Sequence, residues 1–138
     1  MSRRQRRRAR VLALQALYQL DSGRTWEHVS AFLAQVGGPT GEGARTLAQA
    51  AWDERESLDR ILGEHLEEWT VPRLGAVERA LLRLGLYELL HQPDVPTAVV
   101  IDEAVELAKR FASEPSGGLI NAVLDKVKVL RDESQEPG

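Results

Sequence analysis

Six arginines stand within the first ten residues, Arg3, Arg4, Arg6, Arg7, Arg8 and Arg10, and no acid stands among them. On a helix, Arg3, Arg7, Arg10, Leu14 and Tyr18 fall on one stripe within about 80° of each other, with Arg4 on its flank. Guanidinium groups in line with a phenol ring suit RNA. Arginine pairs bidentately with phosphate and stacks on bases, and tyrosine offers a ring to an unpaired base. The alternative is a merely solvated helix end, and arginine at a helix N-terminus mildly opposes the macrodipole, which weighs towards a functional role. An Arg-rich, acid-free start also suits a transit peptide. Against that, residues 3–20 carry a continuous core face and lead straight into the rest of the chain. The pattern predicts a nucleic-acid-binding head made by Arg3, Arg4, Arg6, Arg7, Arg10 and Tyr18.

The charge balance sharpens this expectation. The whole chain carries 18 basic and 21 acidic residues, net −3, but beyond residue 10 the balance is 12 against 21, or −9. A basic head on an acidic body argues for an anionic partner at the head, and the body suits a basic partner. Other chemistry is missing. There is no cysteine, which removes disulfides, thiolate metal sites and thiol nucleophiles and fits a reducing cytoplasm. His28, His65 and His91 lack metal-ligand spacing. No serine lies in a nucleophile elbow, and no glycine-rich dinucleotide fingerprint is present. The expectation is a protein without catalytic residues, cofactor or metal. No apolar run approaches the roughly 18 residues of a membrane span, and the Arg-rich start precedes an amphipathic stretch, unlike a secretory signal.

The elements that must position the head read as helices throughout. Residues 3–20 bury Ala9, Leu12, Ala13, Ala16, Leu17 and Leu20. Asp21-Ser22-Gly23 ends that helix, and Thr25 is the expected N-cap of a second, with Trp26, Val29, Leu33 and Val36 on one face and Phe32 at its border. The run from Gly37 to Gly43 reads as a flexible linker, not a phosphate loop, because no Gly-Lys-Ser/Thr follows it. A long helix is expected over 44–69 through Leu47, Ala51, Leu58, Leu62, His65, Leu66 and Trp69, with Arg55 interrupting the face. Val71-Pro72 stops it. A central helix over 78–91 is apolar most of the way round, so it should be packed on several others, and Arg79 and Arg83 form its polar stripe towards solvent or a partner. Glu88 points at its core face and is expected to be held by a buried hydrogen bond. After a rigid Pro93–Pro96 turn, a helix over 97–112 has Ile101, Ala104, Val105, Ala108 and Phe111 inward, and Asp102, Glu103, Glu106, Lys109 and Arg110 outward. Residues 113–118 break the chain, with Ser116 a candidate cap. A last helix over 117–131 buries Leu119, Ile120, Val123, Leu124, Val127 and Leu130. Residues 1–131 are expected to form one domain and 132–138 a disordered tail.

Several motifs, taken together and in order, resemble the NusB family of transcription antitermination proteins. They are Arg6-Arg7-Arg8-Ala9-Arg10, then Ala13-Leu14-Gln15-Ala16-Leu17-Tyr18, Val77-Glu78-Arg79-Ala80, Leu82-Arg83-Leu84, Leu86-Tyr87-Glu88-Leu89, Asp94-Val95-Pro96, the stretch from Glu103 to Phe111, and Asn121 with Val123-Leu124-Asp125-Lys126. The resemblance spans essentially the whole chain. It implies an all-α compact bundle of about six to seven helices in two three-helix subdomains. It implies binding of single-stranded boxA-type RNA and pairing with the small-subunit ribosomal protein NusE. The setting it implies is an antitermination complex with RNA polymerase that promotes transcription of ribosomal RNA operons. By position it implies RNA contacts at Arg6, Arg7, Arg10 and Tyr18, with Phe111 near them. It implies a protein-partner face around Glu78, Arg79, Leu82 and Arg83. The chain departs from the family at the 113–119 turn, where Pro115, Gly117, Gly118 and Leu119 stand in place of an acidic residue, a polar or basic pair and a Phe, so the expectation is RNA affinity or sequence preference that is either weaker or redistributed to the Arg-rich head. Homodimerisation, which occurs in some family members, would bury the Arg stripe.

Two rivals share part of the pattern. An RNA-binding domain at the front of a ribosomal-RNA cytosine methyltransferase would need a large Rossmann-like domain downstream, and this chain stops at Gly138. A DNA-binding regulator would prefer duplex DNA to single-stranded RNA.

Overall fold

Ser2 opens the first helix. Its hydroxyl accepts the Gln5 N–H at 3.1 Å, and the Gln5 side-chain oxygen accepts the Ser2 N–H at 2.7 Å, a reciprocal capping box. In the computed structural model, which describes residues 1–67 and 70–135 (the side chains of 133–135 excepted), this helix is α1, Arg3–Asp21. It is followed by α2 (Trp26–Val36), α3 (Gly38–Asp53), α4 (Arg55–His65), α5 (Ala76–His91), α6 (Thr97–Phe111), α7 (Glu114–Val127) and α8 (Val129–Gln135), with a 3-10 turn at Val71–Arg73. No strand occurs among the described residues. Trp69 and residues 136–138 of the expected tail lie outside the described residues. The chain forms two compact units, Met1–Glu54 and Arg55–Gly138.

In the first unit, α1, α2 and α3 all pack on one another. The Thr25 hydroxyl caps α2 through the His28 N–H at 3.1 Å. The expected linker is instead a tight corner followed by the first turn of α3. Gly37 and Gly38 have φ of 66° and 62°, the left-handed region that favours glycine, and Pro39 then sits where a helix needs no N–H. Gly41 is buried because α2 passes so close: a Cβ there would stand 3.0 Å from the Leu33 carbonyl oxygen. Glycines that read as flexibility are here the condition for a close helix–helix approach.

In the second unit α5 is the hub. It packs on α4, α6, α7 and α8, and nine of its sixteen residues are buried. Gly85 faces Leu124 of α7 so closely that a Cβ would lie 2.9 Å from Leu124 Cδ1. The long helix expected over 44–69 is two helices, parted at Glu54, next to Arg55, the residue that interrupts its apolar face. His65 Nδ1 donates to the Ile61 carbonyl at 2.9 Å in the last turn of α4. The last helix begins earlier than expected, at Glu114, with Ser113 and not Ser116 as its cap. It also divides, and the stretch 132–135, expected as tail, belongs to α8.

Arg131 explains why α8 is held. Its buried guanidinium donates through Nε to the Leu89 carbonyl at 2.9 Å and through Nη2 to the Glu88 and Gln92 carbonyls, both at 3.0 Å. Nη1 reaches the Val95 carbonyl at 2.6 Å and Thr97 Oγ1 at 3.1 Å. One side chain thus satisfies the open carbonyl end of α5 and the turn into α6. Glu88 is 4% exposed, and among the described residues no buried side-chain nitrogen or oxygen lacks a hydrogen-bond partner. On α6, Val100 and Leu107 join the core. Glu103, expected outward, is buried at 7%, whereas Phe111, expected inward, is 37% exposed.

Candidate nucleic-acid interface and partner face

The first two turns of α1 expose Arg3, Arg4, Arg6, Arg7 and Arg8. Further along, the arginine–tyrosine stripe does not hold as expected. Arg10 is 8% exposed and Leu14 3%, so both lie inside, and Arg10 is engaged in an interaction within the protein. The cause is the width of the buried arc. Residues from Leu12 to Leu14, taken around the helix through Ala9, Leu17 and Arg10, span about 200°. A single packing face would cover about half of that, but α1 has two neighbours in its own unit. The exposed line is therefore rotated away from Arg10 and runs through Arg4, Arg8, Gln15 and Tyr18, with Tyr18 49% exposed. Arg8, four residues from Arg4, was legible by that spacing. Gln15 carries no charge and no such signal.

The first unit holds 8 basic and 5 acidic residues, +3, and the second holds 10 and 16, −6. The basic charge is thus concentrated on the unit that carries the head. Phe111 belongs to the second unit, at the C-terminal end of α6, where the Arg110 guanidinium carbon lies 4.9 Å from its ring centroid, a cation–π contact. The residues of the 113–119 departure form the first turns of α7. Ser113 Oγ accepts the Ser116 N–H at 3.3 Å. Gly117 is buried, and a Cβ there would stand 2.9 Å from Lys109 Cγ, so this glycine makes room for the Lys109 stem.

The partner face changes more. Glu78 is half-buried, and its carboxylate reaches back to accept the Gly75 N–H at 3.1 Å at the start of α5. Arg79 Nη1 donates to the Leu74 carbonyl at 2.9 Å and the Val71 carbonyl at 3.3 Å, tying the 3-10 turn to α5. Leu82 is 0% exposed. Arg83, expected towards solvent or a partner, is 6% exposed and forms a two-pronged pair with Asp59 of α4, Nε to Oδ1 and Nη2 to Oδ2, each 2.8 Å. Leu82 and Arg83, expected on the partner face, belong instead to the interior, since α5 is the hub and Arg83 lies against Asp59 of α4. Glu78 and Arg79 remain at the surface.

Among the described residues no group of three or more His, Asp or Glu could hold a metal ion, and no helix is long and apolar enough to cross a membrane. His91 stacks on Tyr87 with centroids 4.8 Å apart.

A sequence model of the NusB family matches residues 7–129. The transcription antitermination protein NusB of Geobacillus kaustophilus (strain HTA426) is 42% identical over 123 residues, covering 89% of this chain and 95% of that protein. Among solved structures, NusB of T. maritima is similar with a TM-score of 0.82 and 32% identity, over 93% of this chain and 96% of the other. A crystal structure of the antitermination factors NusB and NusE in complex with dsRNA contains a chain with a TM-score of 0.83 and 30% identity, over 94% of this chain and 99% of that one.

Proposed function

We infer function from kinship: this chain belongs to the NusB family of transcription antitermination proteins, a family of non-enzymatic factors, and it binds RNA through the exposed arginines of α1. The observation that carries this reading is five exposed guanidinium groups in two helical turns with no acid in the first turn. Repulsion among these charges and their opposition to the helix dipole favour an anionic partner at this end. The RNA is single-stranded and boxA-type. The solved relative held with NusE carries dsRNA, and phosphates alone could serve the arginines in either form. Tyr18 favours the single strand, because an exposed ring on the same helix can stack on a base only when that base is unpaired.

The test is filter binding of a single-stranded RNA, its duplex and a DNA duplex across a salt series. The expected order is single-stranded RNA first, with a log–log slope of about −0.7 per phosphate neutralised. Arg4→Ala and Arg8→Ala each make the slope shallower by somewhat less than one unit. Arg10→Ala acts through the fold instead. A wild-type slope near zero overturns the reading.

NusE docks at the α5 start, through Glu78 and Arg79, and the pair acts in the cytoplasm with RNA polymerase on ribosomal RNA operons. The acidic second unit suits a basic ribosomal protein. Glu78→Lys should weaken co-purification of NusE, whereas Glu78→Gln, which keeps an acceptor for the Gly75 N–H, should retain the fold and separate capping from charge. Full co-purification with Glu78→Lys counts against this face. A homodimer that buries the Arg79–Arg83 stripe loses its basis, since Arg83 is already inside the monomer.

A further inference from the structure

Beyond Arg8, the exposed residues of α1 are Gln15 and Tyr18 alone. They are three residues apart, so they are neighbours on one helix face, with Cβ atoms about 5–6 Å apart. An ordinary solvent face at this place would carry lysine and glutamate. This one carries an amide and a ring that is 49% exposed. The Gln15 side chain has no hydrogen-bond partner among the described residues, and it lies in line with Arg4 and Arg8.

We propose that Gln15 is a base-reading residue: its amide pairs with the edge of an unpaired RNA base whose face lies on Tyr18. This rests on the RNA-binding reading above and adds the specificity that reading lacks. Arginine–phosphate contacts position an RNA but carry no sequence information, and stacking tolerates every base. A glutamine amide has one acceptor and two donors, a set that matches a base edge presenting a donor beside an acceptor. A stacked base projects its edge parallel to the ring that supports it, towards a neighbour one helical turn away. Gln15 is that neighbour on the N-terminal side, the side from which the Arg4–Arg8 line delivers the backbone.

The test uses the full chain and three fluorescent 12-nucleotide homopolymers, rA12, rC12 and rU12, in anisotropy titrations with a salt series. The expected wild-type result is a preference of roughly fivefold or more for one homopolymer, with a clear salt slope. Gln15→Ala should level the three affinities and leave the slope and the circular dichroism melt unchanged. Gln15→Glu, an acceptor only, should move the preference towards rA12 and rC12, whose exposed amino groups are donors, and away from rU12, which has none. Absence of salt-dependent binding by the wild type defeats the RNA-binding reading, and this inference with it. Salt-dependent binding without base preference, or a preference that survives Gln15→Ala, overturns the inference alone.

Discussion

Asp59→Ala isolates the feature that most changes the expected partner face. Arg83 has 7% of its side chain exposed and Asp59 27%, and both prongs of the pair are 2.8 Å long. Removing the carboxylate takes the Asp59 counter-charge and both of its hydrogen bonds from a guanidinium that lies inside the protein. Breaking a buried pair in this way costs about 3–5 kcal/mol. Because Asp59 stands near the surface and water can enter where it was, the lower end applies, about 3 kcal/mol. For a chain of 138 residues that corresponds to a fall in Tm of about 10 °C. The double variant Asp59→Leu with Arg83→Met replaces both charges by apolar groups and should recover most of the loss, since such replacements are often neutral within about 1 kcal/mol. Urea unfolding followed by circular dichroism at 222 nm on the wild type, both singles and the double measures the coupling directly. A loss below about 0.5 kcal/mol for Asp59→Ala, the range of surface changes, refutes the burial of Arg83. So does a double variant whose cost is the simple sum of the singles. Either result would return Arg83 to the surface and to the partner face.

Arg131→Met removes five hydrogen bonds at the end of α5. It should cost about 3 kcal/mol, with hydrogen exchange of residues 92–97 rising towards that of a loop; unchanged protection would argue that the turn needs no clamp. Two glycine substitutions should move in opposite directions. Gly63→Ala meets nothing within 4 Å in α4 and should stabilise by about 0.5–1 kcal/mol. Gly85→Ala drives a methyl to 2.9 Å from Leu124, itself 0% exposed, and overpacking of about 1–3 kcal/mol should exceed its helix-propensity gain; equal and positive effects at both would place α5 and α7 further apart.

Helix existence was legible wherever apolar spacing ran uninterrupted. The hub role of α5 followed from leucines on two faces, and the cap at Thr25 followed from residue type alone; the stop expected at Val71-Pro72 did not hold, since α4 already ends at His65 and Pro72 lies within the 3-10 turn. Three features were not legible, each for a physical reason. The run Gly37–Gly43 has the composition of a linker, and only the proximity of the Leu33 carbonyl shows that its glycines serve a close approach. Arg83 and Arg131 are charged, so a hydropathy pattern sends them outward; their partners, Asp59 at 24 residues' distance and the carbonyls of Glu88 and Leu89 at more than 40, are remote in sequence. Spacing alone puts Arg10 and Leu14 on the RNA stripe, because one-face reasoning cannot tell how many neighbours a helix has. The charge of the head and the exposure of Tyr18 survived, since both sit beyond the reach of that error.

The energetics of α1 show why this head is available to RNA. Arg3 with Arg7, and Arg4 with Arg8, are like charges four apart, each pair unfavourable by about 0.2–0.5 kcal/mol. Arginines in the first turn add about 0.3–1 kcal/mol each against the dipole. Taken alone, this end would fray. Three terms hold it. The Ser2–Gln5 box satisfies two open N–H groups. Met1 packs over Gly43 of α3, where a Cβ would stand 2.9 Å from Met1 Cε. Further along, Leu12, Leu14, Leu17 and Leu20 are at most 5% exposed, each worth about 1.5–3 kcal/mol of transfer free energy. Burial in the later turns therefore outweighs repulsion in the first ones. The arginines are held in a helical array before RNA arrives, and their mutual repulsion is relieved when it does. Binding should then tighten as salt falls while the helix content of the head stays constant. A head that gained helicity on adding RNA would place the ordering cost in the binding step and contradict the preformed array.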